Sequence, residues 1–195
     1  MAERDTLIRS MHDLGAAAWF GGSLMGAVGV NGAADAAKDP TERLRLSSIG
    51  WAKWTPWQVA AVGVHAVGGI GLIISNRRRQ AVQPGAAANT AVKLVLTGLA
   101  AGVTAYSGVL GSKVAKHTEE GAAGSVTPSS TSSAELASAQ RQLKICQWAI
   151  PALSGSLIVL GAIHGEQQRG VAGELDLGND ESSLHGVKQA FRKVL

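Results

Sequence analysis

The chain has 195 residues, of which 46% are hydrophobic and 16% charged, with a net charge of +4. Its single cysteine, Cys146, excludes an internal disulfide and any multi-cysteine zinc or iron–sulfur site within one chain. The positive charge is small and spread along the sequence, which argues against a nucleic-acid-binding protein.

The leader Met1 to Asp13 mixes Glu3, Asp5 and Asp13 with Arg4 and Arg9, a poor match to the basic start of a secretory signal, although Ala34-Asp35-Ala36 offers a small-x-small site. The following stretch, 14–34, holds no Asp, Glu, Lys, Arg or His and reads as a first membrane-spanning helix. A second span is expected over 55–76, with His65 near its middle, and the run Arg77-Arg78-Arg79 follows it directly. A third, 94–112, lies uncharged between Lys93 and Lys113, and a fourth, 145–165, contains His164 and Pro151. Pro151 is expected to kink that helix or to sit in its first turn. Each stretch is about 20 residues, which at about 1.5 Å per residue matches a hydrocarbon core about 30 Å thick. A soluble bundle of such helices would show a polar stripe toward water, and these show none.

Trp51, Trp54 and Trp57 precede the second span at three-residue spacing, Trp148 opens the fourth and Tyr106 lies late in the third. Together they read as an aromatic belt at one interface. The segment 117–140 is rich in Gly, Ser and Thr and reads as a mobile linker on the outer side, turning helical from Ala134. In the tail 173–195, Leu184, Val187, Phe191 and Leu195 recur at helical spacing beside Lys188, Arg192 and Lys193. That pattern predicts an amphipathic helix over 184–195, on an anionic membrane surface or a partner subunit.

The fold class expected is therefore all-α: an integral membrane four-helix bundle over 1–172 with a short amphipathic C-terminal helix. With four spans, ten Lys and Arg fall on the side of the termini and the middle loop and eight on the other. The bias and the tri-arginine run place both termini in the cytoplasm, with the chain in the plasma (inner) membrane. Gly22-x-x-x-Gly26, Gly98-x-x-x-Gly102 and Gly161-x-x-x-Gly165 put small residues one turn apart, the pattern by which helices approach closely in lipid.

No phosphate-binding glycine loop, nucleophile elbow or carboxylate within a span is present, so no catalytic residue is assigned and the chain reads as a non-enzyme. The groups that could carry chemistry at membrane depth are His65, and His12 with His164, which the topology brings to one interface. A buried b-type haem or a copper site would use them, yet His65 has no deep partner in this reading. The run from His12 to Gly22, a histidine, then Trp19-Phe20, then Gly21-Gly22, resembles the first-helix pattern of small bacterial four-helix membrane families of the copper-resistance-D type. The resemblance implies a small polytopic membrane protein with a link to copper or redox chemistry. Two functions are thus expected: a non-catalytic accessory subunit contacting lipids and other subunits or copies of itself, with no cofactor, or a small haem- or metal-binding redox protein.

Overall fold

The computed structural model describes residues 6–77 and 86–179, and the surroundings of side chains within 6–77 and 88–163. Among the described residues the architecture is all-helical, and the one β feature is an isolated bridge between Gly124 and Thr127. A first rod is formed by α1 (Thr6–Met25), a π turn (Gly26–Val30) and α2 (Asn31–Asp35). Then come α3 (Pro40–Ser75), α4 (Ala86–Lys116), a 3-10 turn (Thr118–Glu120) and α5 (Ala134–Asn179). The chain divides into two compact units, Met1–Ile158 and Val159–Leu195, the second holding the continuation of α5.

Each helix begins earlier than the uncharged stretch inside it. The lack of charge marks where a helix is apolar, whereas capping groups set where it starts. Asp39 accepts the Thr41 amide at 2.8 Å and Pro40 occupies the first helical position, so α3 starts there rather than at Thr55. Ser133 Oγ accepts the Leu136 amide at 3.2 Å, and α5 starts at Ala134, where the sequence turns helical, eleven residues before its uncharged stretch. As a consequence Pro151 lies in the interior of α5 and not in its first turn. Pro56 likewise sits inside α3, where the Thr55 hydroxyl donates to Trp51 O at 2.8 Å.

Among the described residues three helices are long and apolar enough to cross a membrane: Pro40–Ser75, Ala88–Lys116 and Ala134–Ile163. The expected first span, 14–34, lies within the first rod, where the π turn divides it between α1 and α2 and where Arg9, His12 and Asp13 precede it in α1. At 36 residues α3 is about 54 Å long, well beyond a hydrocarbon core.

The polarity of the structure is reversed relative to a protein folded in water. Ser23, Gln58, His65, Gln140, Gln147 and Ser154 are buried, while large apolar side chains face outward on every long helix. Val59, Val67, Ile70 and Ile74 on α3, Val95 and Leu99 on α4, and Ile145 and Val159 on α5 are all exposed. Two apolar clusters lie inside. One gathers Leu44, Leu110, Val114, Leu136, Leu143 and Cys146, and the other Trp19, Ala61, Ala100, Ile150 and Leu157.

The segment 117–140 is packed, contrary to the expectation of a mobile linker. Arg43 donates to the carbonyls of Ala37 (2.7 Å) and Ala123 (3.1 Å), and the Ala122 amide donates to Pro40 O at 3.2 Å. Gln140 Nε2 reaches the carbonyls of Gly124 (2.8 Å) and Ser125 (3.2 Å). Gly121 turns the chain at φ 67, in the left-handed region, with its Cα close to Pro40. The expected amphipathic helix 184–195 lies outside the described residues, as do Arg78 and Arg79.

Candidate functional site

The seam between α1 and α3 positions the groups of greatest interest, and glycine makes it. A Cβ on Gly15 would sit 2.5 Å from the His65 amide nitrogen and 2.7 Å from Ala61 O, so the two backbones touch there. Gly68 lies in the same way against the His12 backbone, and Gly71 against Ile8. Farther along, Gly22 receives the Trp54 indole and Gly26 that of Trp51. The tryptophan triplet therefore splits. Trp51 and Trp54 fill notches in the first rod, whereas Trp57, with Trp148 and Tyr106, is exposed as an aromatic belt requires.

The three small-residue pairs also differ from one another. Gly22 and Gly26 are helix-packing positions within the chain. Gly98, Gly102 and Gly161 face open space, and Gly165 lies beyond the residues whose side-chain surroundings are described.

His12 and His65 come together across this seam. His12 is inside α1, which starts at Thr6, and not in a segment preceding the helix. The imidazoles stack with centroids 4.2 Å apart and planes tilted by 37°, and Trp19, fully buried, stands edge-on to His65 at 6.1 Å. His65 Nδ1 lies 2.9 Å from the His12 carbonyl oxygen, which can only accept, so that nitrogen carries the proton. His12 Nδ1 lies 3.0 Å from Asp13 Oδ1 and donates to the carboxylate. His65 thus has the deep partner that seemed missing, and it is His12. The side chain of His164, the third candidate, lies beyond those described.

The His12–His65 pair, taken by itself, does not fit a bis-histidine haem, and the pairing of His12 with His164 lies outside the described side chains. A bis-histidine haem must lie between its two imidazoles, and rings in van der Waals contact leave no room for it. Among the described residues no group of three or more His, Cys, Asp or Glu side chains could hold a metal ion.

A second polar constellation lies at the other end of the seam, built around a residue the sequence reading passed over. The π turn places Asn31 in the interior, its amide reaching Gly26 O five residues back. Asn31 Nδ2 donates to Gln147 Oε1 at 2.7 Å, and Asn31 Oδ1 accepts from Trp51 Nε1 at 2.9 Å. An indole only donates, which fixes the orientation of the amide. Just beyond, Asp35 Oδ1 accepts the Ser125 amide at 2.6 Å and also the Ser125 hydroxyl, fastening the loop to the first rod. Asn31 is the one carboxamide in the uncharged stretch 14–34, a signal that could have singled it out.

The rim of the loop carries charge. His117 Nδ1 lies 2.6 Å from Glu120 Oε1, and Glu120 Oε2 accepts the Ser133 amide at 2.8 Å. These two contacts, the backbone amide first, hold the Glu120 carboxyl below the usual carboxylate range. Asp39 is lowered in the same way by the Thr41 hydroxyl and amide. Between α4 and α5 a shallow groove of about 250 Å³ is lined by Tyr106, Leu110, Lys113, Glu135 and Gln142. Lys113 and Glu135 face each other across it at 3.9 Å, and the Tyr106 hydroxyl donates to Gln142 Oε1.

No protein-family model matches the chain, and neither a curated protein nor a solved structure is significantly similar to it.

Proposed function

We propose that this chain is a multi-pass membrane protein acting as a non-catalytic accessory or structural subunit, and that α4 is the helix through which it joins its partners. The observation that carries the reading is the inverted polarity of the helices. Outward-facing valine, leucine and isoleucine along three bilayer-length helices have a favourable solvent only in lipid or against another apolar protein surface. Amide and hydroxyl side chains are held inside, where they bond to one another.

Among the three apolar helices α4 is the least enclosed, with only 11% of its most apolar stretch buried. Its outward face carries Gly98 and Gly102 with Val95 and Leu99 exposed beside them. In lipid, apolar area alone gives helices little reason to associate, so close approach at small residues supplies the attraction. The occupant of that face is another subunit or a second copy of this chain. With the first rod counted as a fourth span, the excess of Lys and Arg near the termini and after α3 supports cytoplasmic termini and the plasma (inner) membrane as the site.

Chemical cross-linking in native membranes tests this reading. The wild-type chain is expected to give a discrete cross-linked species, and the double substitution Gly98→Ile, Gly102→Ile to abolish it while leaving the chain in the membrane. A wild-type chain that stays monomeric at every cross-linker concentration contradicts the proposal.

A further inference from the structure

We propose that the His12–His65 stack is a proton-sensitive contact, which keeps α1 and α3 closed while the pair holds at most one added proton and releases them when both imidazoles are protonated.

The tautomers provide the starting point. Both Nδ1 atoms carry hydrogen, one bonded to the His12 carbonyl and the other to Asp13. Each ring therefore has one basic site left, its Nε2. His12, whose side chain is 17% exposed, already donates to the Asp13 carboxylate. Charging both rings would set two like charges with their centroids 4.2 Å apart, one of them on His65, which is 2% exposed.

The surroundings offer little relief. Among the described residues, the charged groups around the pair are Asp13 and Arg9 on α1 and Lys93 on α4, which lies in the field of Asp13 and Arg9. Asp13 alone is anionic, and it already serves His12. On α3 the neighbours are Gly68 and Gly69, with no side chain to compensate charge. Because the backbones touch at Gly15 and Gly68, the seam has no slack in which the rings could separate while the helices stay in place. Arg9, Asp13 and Lys93 set this end of the seam at a charged boundary, from which water reaches both rings when the helices part. The open state then binds one proton more than the closed state, and acid favours it.

Spin labels at Leu7 on α1 and Ile74 on α3, both exposed, read the crossing directly in the full-length chain carrying Cys146→Ala and reconstituted in lipid nanodiscs. The interlabel distance is measured from about pH 8 to about pH 5, bracketing the ordinary range of imidazole. A single short distance is expected at the upper end, with loss of that population at the lower end. His65→Gln keeps a donor for the His12 carbonyl without a titratable ring, and it is expected to hold the short distance throughout, as is His12→Gln. A wild-type distance that does not change with pH overturns the proposal. So does a transition that persists in both histidine variants.

Discussion

At Gly22 and Gly26 the first rod has notches cut to the width of an indole ring. A side chain at either position would collide with Trp54 or Trp51, and the Trp51 ring is also bonded to Asn31. Gly22→Val is therefore expected to destabilise the folded chain by about 1–3 kcal/mol. Gly102→Ala meets open space and is expected to change stability by no more than about 0.5 kcal/mol. Denaturant titration of the purified protein in detergent measures both, and equal effects would contradict the packing described. Asn31→Ala removes the partner of Gln147 Oε1 and of Trp51 Nε1. The expected cost is about 1–3 kcal/mol for each stranded group, read in the same titration. The sequence displayed three equivalent small-residue pairs, and nothing in the pairs distinguishes the buried one. The distinction comes from tryptophans two helices away in the order of the chain, at a spacing that matches Gly22 and Gly26 on an antiparallel neighbour.

The elements were legible to different degrees. Long stretches without charge reveal α3, α4 and α5, because apolar length is a local property of the sequence. The packing of the segment 117–140 was not legible. It is held by Arg43, Asp35 and Gln140 acting on backbone carbonyls, one backbone amide and one hydroxyl far away in the chain, and such contacts leave no periodic trace. Composition alone suggested mobility there. The link from this loop to α5 runs through Glu120, which accepts the Ser133 amide just before the helix starts. Its carboxyl is held below the ordinary range in the folded chain. The stabilisation is thus fully present above the unfolded pKa of about 4.3 and is lost as the pH falls through the lower folded value. Hydrogen exchange at the Ser133 amide is expected to stay slow at neutral pH and to accelerate below that range, once exchange rates are corrected for pH. Glu120→Gln is expected to make exchange at that amide independent of acidification. An unchanged acid response in the variant would assign the effect to another group.

For the whole molecule, the inverted distribution of polarity decides what solvent the fold requires. A chain with this much outward valine, leucine and isoleucine would aggregate in water, and one with buried Asn, Gln and His bonded in pairs has little to gain from it. The two histidines illustrate how a linear reading can separate what the fold joins. Counting from the ends of uncharged stretches put His12 outside the first helix and His65 alone in the second. The glycine seam of α1 and α3 stacks them. The central claim, that lipid is the solvent of the long helices, is tested most directly by fractionating cells that express the full chain. The protein is expected to remain in the membrane pellet through a high-salt wash and an alkaline carbonate wash, and to be released only by detergent. Recovery of the chain in the carbonate supernatant, folded and without detergent, would contradict it.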